Sequence, residues 1–237
     1  MSEAAIFMVL ASAVAVAAFI QGAVGIGFAL VVAPVMGLLR PDLLPVALLI
    51  LMLPLNGYVG LRERDAIDWR GVGWVSLGRL PGTFVGLGIL LVVSTNGLNQ
   101  LIGASTILAV LAGLFAPVFQ PSRAACTAVG VVTGVTETAT GVGGPPLALL
   151  YQHRPGPVLR ATIALCFLIG ELVSLAILAL AGQFQLHQWL WALALLPALA
   201  AGSIASRLVH HRLDARRMRL GVLSFAMLSG IVLLIPR

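Results

Sequence analysis

Long apolar runs alternate along this chain with short clusters of charge, proline and glycine. They fall into eight blocks: about Ala4 to Leu39, Leu43 to Leu61, Gly71 to Val93, Leu98 to Val118, Ala124 to Tyr151, Val158 to Leu180, Gln188 to Val209 and Leu220 to Ile235. Runs of about twenty apolar residues match a helix across a hydrocarbon core of roughly 30 Å, whereas a transmembrane barrel shows runs of about ten with alternating polarity. The pattern therefore predicts helices throughout. The first block covers 36 residues, roughly 54 Å as one helix at 1.5 Å per residue, so it cannot be a single span. Its centre reads Gln21-Gly22-Ala23-Val24-Gly25-Ile26-Gly27, where glycine supplies low helix propensity and a break is expected. The fifth block is built alike, around Glu137-Thr138-Ala139-Thr140-Gly141-Val142-Gly143-Gly144-Pro145-Pro146.

Composition narrows the class. Of 237 residues, 60% are hydrophobic and 9% charged, and mean hydropathy is +1.07; a soluble domain carries about a quarter charged residues. An aqueous surface cannot be built from this composition, so the lipid bilayer is the expected surrounding. All 14 basic residues are arginine, against 8 acidic ones, for a net charge of +6. Most of those arginines sit in short loops between apolar runs, where they set orientation and meet lipid headgroups, so nucleic acid is set aside as a partner. Cys126 and Cys166 lie inside apolar runs without CxxC spacing, and neither a metal site, a cofactor nor a disulfide framework is expected. Glu3 and the absence of a basic leader predict that the first block is retained as a membrane segment rather than cleaved.

The two broken blocks belong to a repeat. Gly25 and Gly141 lie 116 residues apart, and the same gapless offset relates Gly27 to Gly143, Pro41 to Pro157, Pro81 to Pro197 and Gly86 to Gly202. Two halves follow, residues 1–117 and 118–237. Their equivalent loops carry opposite charge: Arg62, Arg64 and Arg70 precede the third block, while the counterpart near Gly182 to Gln188 has no arginine. The next pair reverses this, with none in Ser94 to Gln100 and five from Arg207 to Arg219. Such alternation is expected of halves inserted upside down to one another. If each broken block goes in and comes back, Arg62, Arg64, Arg70, Arg123, Arg154, Arg160, Arg207, Arg212, Arg216, Arg217 and Arg219 share the cytoplasmic face, leaving Arg40 and Arg237 outside. The sequence thus predicts an all-α polytopic membrane protein of two inverted repeats of about five segments each, in the cell membrane, with both termini outside.

Irregular backbone at membrane depth survives only when buried in protein or lining a wet cavity. Inverted-repeat carriers place their substrate at such breaks, with helix N-termini aimed at anionic groups. Gln21, Gly25, Gly27, Thr138, Thr140, Gly141, Gly143 and Gly144 are the candidate substrate-binding residues, with Thr136 a further hydroxyl donor. The bland alternative is that the glycines only permit close helix packing. Pro81, Gly86, Pro145, Pro197 and Gly202 are candidate hinge or packing positions.

Three charged residues fall deep inside apolar blocks, away from their ends: Arg79, Glu137 and Glu171. Each is costly in lipid unless paired or hydrated. Arg79 is either a fixed cation for an anionic substrate or the structural partner of a glutamate. Glu137 and Glu171 are the proton-coupling candidates, although Glu171 has the alternative role of neutralising Arg79. His153, His187, His210 and His211 lie near loops.

The duplicated Gly-x-Gly breaks, with Gly143-Gly144-Pro145-Pro146-Leu147, Arg160-Ala161-Thr162 and Leu80-Pro81-Gly82-Thr83-Phe84-Val85-Gly86, resemble the sulfite exporter TauE/SafE family, also called the TSUP transporters. The likeness runs over essentially the whole chain. It implies a permease for small anionic sulfur compounds such as sulfite, thiosulfate, sulfoacetate or other organosulfonates. One departure is Gly25-Ile26-Gly27-Phe28, where the family commonly has a further glycine.

The expected function is secondary transport by alternating access, the halves rocking about a site near the membrane midplane. A chain without lysine has no Walker motif, so protons or the substrate gradient are the candidate driving forces. An anion channel and a non-transport assembly subunit are the rival readings. An intramembrane enzyme has no metal-binding cluster, His-Asp-Ser set or Asp-rich motif to support it. Self-association is left open.

Overall fold

The computed structural model describes residues 2–24, 27–115, 120–209 and 215–235. Among them the chain is helical, without strands: α1 Glu3–Val24, α2 Phe28–Leu39, α3 Val46–Arg62, α4 Trp69–Val92, α5 Thr95–Phe115, α6 Arg123–Thr140, α7 Gly144–Tyr151, α8 Gly156–Leu180, α9 Leu186–Val209 and α10 Ala215–Leu234. Short 3-10 turns cover Pro41–Leu43 and Arg64–Ala66. Four helices contain apolar stretches long enough to cross a membrane: Glu3–Gly22, Trp69–Val92, Gly156–Leu180 and Leu186–Ser206. The molecule is an all-α polytopic membrane protein. Both over-long blocks are divided at their glycines, into α1 with α2 and α6 with α7. At 12 and 8 residues, α2 and α7 reach roughly 18 and 12 Å, well short of the bilayer core.

Each divided block doubles back. Arg40, just past α2, pairs at 3.0 Å with Glu3 at the start of α1, so the first hairpin has both ends together. Asp42 (2.9 Å from Arg40) and His187 at the start of α9 (3.2 Å from Asp42) complete that cluster. Burial pushes the Asp42 carboxyl up, but the Arg40 hydrogen bond and charge outweigh it and hold the carboxyl below its usual range. The second hairpin opens at the N-terminal end of α4. There Tyr151, ending α7, donates to Asp68 at 3.1 Å, and Arg123, opening α6, lies over the Trp74 ring at 5.6 Å. Asp68 caps α4 through the Gly71 N–H. The far end of α4 leads directly into α5, where Asn96 and Asn99 share a small cleft with Leu38 of α2 and Ile235 after α10. The two hairpins thus enter from opposite ends of α4, which at 24 residues is roughly 36 Å long. The end of α10 shares the first hairpin's end with Glu3.

Packing interleaves the halves rather than separating them. The main partners are α4 with α6, α1 with α9, α3 with α8, and α5 with α10. Exchanging each helix for the one five places along leaves that set unchanged. The tightest pairs each take one helix from either half. Glycine explains the tightness. A Cβ on Gly78, Gly82 or Gly86 of α4 would strike the carbonyl oxygens of Thr127, Val131 and Val135 on α6. One on Gly130 or Gly134 of α6 would strike those of Val75 and Arg79. Ascending numbers meet ascending numbers, so the two helices run parallel. The α1/α9 pair repeats the device, with Gly202 against the Ala15 carbonyl. Small residues at spacings of four are how helices approach closely in lipid.

This geometry predicts a sign change along one helix. Gly82→Ala should lower the melting temperature in detergent, because the obstruction is backbone and cannot rotate away. Gly88→Ala, where an added Cβ meets nothing within 4 Å, should leave it level or raise it, since alanine favours helix by about 0.5–1 kcal/mol.

Candidate functional site

The tips of the two hairpins face a common cavity. At the first, Gly27 takes φ +122° before α2 begins, and the Gln21 side-chain carbonyl accepts the Phe28 N–H at 3.0 Å. One of the orphan donors of the α2 N-terminus is thereby satisfied from across the break. At the second, Gly141 ends α6 in the left-handed region (φ +78°), donating its N–H to the Glu137 carbonyl at 2.7 Å. An L side chain there would be strained. Thr140 Oγ1 donates to the Thr136 carbonyl at 2.7 Å and accepts the Val142 N–H at 3.2 Å. Pro145 and Pro146 follow in the first turn of α7, where a missing N–H costs nothing.

Between the tips lies a cavity of about 200 Å³, lined by Gln21, Gly27 and Phe28 from the first hairpin and Val142, Gly144 and Pro145 from the second. Met52, Phe167 and Val222 complete much of its apolar wall, and Gln152 is a second amide. Drug-sized pockets run roughly 300–1,000 Å³, so this one suits a small solute. A larger cavity, about 410 Å³, lies toward the Arg62 end, lined by Asn56, Tyr58, Arg62, Glu63, Arg160 and Ser203 among others. Gln21 lines both.

The deep charges form a separate layer. Arg79 Nη2 stands 2.8 Å from Glu137 Oε1, and both side chains are buried. The approach is an ion contact rather than an aligned hydrogen bond, since among the described residues neither Glu137 oxygen receives a well-directed N–H. Arg79 Nη1 donates to the Cys166 carbonyl at 3.1 Å, and its guanidinium lies 5.8 Å from the centre of the Phe167 ring. Gly170 of α8 leaves the space that the guanidinium fills. The Glu137 carboxyl lies against Gly143, where a Cβ would meet Oε2, and so sits at the N-terminus of α7, the end a negative group favours. Position 137 lies 116 residues after Gln21: a neutral amide braces the first break, whereas a carboxylate with its own cation lies beside the second.

The predicted residues therefore divide. Gln21, Gly27, Gly144 and Pro145 line the central cavity. Arg79, Glu137, Thr138, Thr140, Gly141 and Gly143 do not; they stand behind Val142 and Phe167 as its support. Thr138 pairs with Ser174 of α8 at 2.9 Å. Of the two readings of Arg79, the geometry is that of partner to a glutamate, and the glutamate is Glu137. Glu171 instead accepts from Asn56 at 2.6 Å, and its Oε2 has no hydrogen bond among the described residues. Gly86 and Gly202 are packing positions, and Pro81 and Pro197 lie inside α4 and α9. Gly25 lies outside the described residues. Sequence reasoning missed Gln152, Asn56 and Glu63. The lone Asn56 within the second apolar block was the available signal; Gln152 and Glu63 sit at block edges, where polar residues are unremarked.

The sulfite exporter TauE/SafE family model matches residues 10–233. A similar protein, the probable sulfite/organosulfonate exporter TauE of Cupriavidus necator, is 30% identical over 149 residues, which cover 60% of this chain and 58% of that protein. The chain thus matches rather more than half the length of that curated relative. No solved structure matches.

Breaking a buried ion pair leaves an uncompensated charge, at a cost of about 3–5 kcal/mol, whereas replacing both partners with apolar groups is often neutral. Arg79→Met and Glu137→Leu should each depress thermal stability in detergent, and the double variant should regain most of the loss. Additive losses would show that the two charges do not depend on each other.

Proposed function

Because the chain belongs to the sulfite exporter TauE/SafE family, matched over residues 10–233, we propose that it carries small anionic sulfur compounds across the cell membrane by alternating access. Sulfite, thiosulfate, sulfoacetate and other organosulfonates are the substrate class. The observation that carries this reading is that both hairpin tips, entering from opposite ends, line one cavity of about 200 Å³. Two helix N-termini converge on that space, and their partial positive charge favours an anion. The Gln21 and Gln152 amides supply polar contacts without a fixed charge that would hold the ion too tightly to release. The two halves are read as inverted repeats, residues 1–117 and 118–237, with both termini outside and the Arg62 end in the cytoplasm, as the arginine bias favours.

Gln21 lines both the central cavity and the larger one. It is the residue whose movement opens one to the other, its hold on Phe28 being a single neutral hydrogen bond. In this reading the hairpin tips move relative to the fused α4/α6 and α1/α9 pairs. Glu171 is the better proton carrier of the two glutamates. Arg79 already engages Glu137, while Glu171 is held by Asn56, a residue of the larger cavity.

Proteoliposomes test this directly. Wild type should take up labelled sulfite or sulfoacetate saturably and show counterflow; flux without either would mark a channel. Gln21→Ala and the cavity-filling Ala148→Phe should lower uptake at least about tenfold, the scale of one lost polar contact to a charged ligand; Gln21→Ala should also lower the melting temperature, because it leaves the Phe28 N–H without its partner, whereas Ala148→Phe should melt near wild type. Unchanged flux in both would remove the central cavity from the pathway.

Glu171→Gln should abolish accumulation driven by an imposed pH gradient and keep counterflow. A variant still driven by the gradient would take the proton elsewhere.

A further inference from the structure

The larger cavity has a rim of its own chemistry. Glu63 bridges two guanidinium groups, Arg62 Nη2 at 2.8 Å and Arg160 at 3.0 Å through Nη2 and 3.2 Å through Nε. The arginine side chains are 53% and 34% exposed, the Glu63 side chain 12%. Two cations thus share one carboxylate at the mouth of a cavity of about 410 Å³, whose walls add the side chains of Asn56, Tyr58 and Ser203. A carboxylate held between paired guanidiniums is a multi-oxygen anion in a bidentate seat, and two oxygens of a pyramidal sulfite or a tetrahedral sulfonate can take the same seat.

We infer that Arg62 and Arg160 form an anion-capture site at the mouth of the larger cavity, in which Glu63 occupies the seat until a small sulfonate displaces it. Glu63 acts as a tethered competitor. It keeps the arginines paired when the cavity is empty and sets the concentration at which a free anion takes over, ahead of the passage guarded by Gln21. The identity of the anion rests on the transport reading above; the site itself does not. Arg64, two residues from Arg62, pairs only loosely with Asp65 at 3.9 Å, both side chains largely exposed, and it does not line the cavity. It is an internal control for charge alone.

The experiment is equilibrium binding of sulfoacetate, and separately of sulfite, to the purified full chain in detergent at low ionic strength, by calorimetry. The neutral isostere Glu63→Gln should bind about five- to tenfold more tightly, because it removes the competitor and leaves both cations. Arg160→Gln and Arg62→Gln should bind about tenfold or more weakly, as expected for loss of a charge-assisted pair, and Arg64→Gln should match wild type. Unchanged or weaker binding in Glu63→Gln, or an Arg64→Gln loss as large as that of Arg160→Gln, would overturn the proposal. So would wild type that binds neither anion, or phosphatidylglycerol that abolishes binding, which would make the seat a headgroup site. Normal transport with no response in these binding variants would sink the capture site and spare the central one. Responsive binding without transport would do the reverse.

Discussion

A peptide group that leaves its helix within hydrocarbon must find a partner or cost several kcal/mol, and this fold is arranged around two places where that happens. Each hairpin tip is held by a side chain from its own first helix. Gln21 accepts the Phe28 N–H, and Thr140 Oγ1 accepts the Val142 N–H, while the Glu137 carboxylate lies against Gly143 and its backbone carbonyl takes the Gly141 N–H. Everything nearby follows from the need to bring those braces to depth. The carboxylate requires Arg79, and Arg79 requires the missing side chain at Gly170. The close α4/α6 approach, made of glycines, places cation and carboxylate on neighbouring helices.

The same position in the two halves has therefore been solved in two ways. A neutral amide braces the first tip with one hydrogen bond, while beside the second lies a carboxylate held in a buried ion pair whose members touch three helices. The amide of the first lines both cavities. The two tips are therefore unlike, even though the chain's two halves share their helix order.

Much of the architecture was legible in the sequence, because the signals were long in range. The 116-residue offset, the over-long blocks and the arginine bias all survive without knowing which way a helix faces, and they gave two broken hairpins of opposite entry. The site was only partly legible for a related reason. In blocks that are apolar all round, periodicity does not reveal which face meets which neighbour. Arg79 could be recognised as needing a partner, but choosing Glu137 over Glu171 required the parallel register of α4 and α6. The glycines of α4 read as packing residues or hinges alike until carbonyl oxygens were found opposite them. Gln152 and Glu63 carried no mark, being polar residues at the ends of apolar runs.

The glycine face of α4 has a consequence for how the protein is made. Its mate, α6, is encoded in the other half, and the same holds for α9 and α1. A nascent chain that has emerged only as far as Phe115 carries a strip of bare backbone with nothing to cover it but lipid. The early segments therefore wait in the bilayer, inserted but unfinished, until translation delivers the helices that close over them.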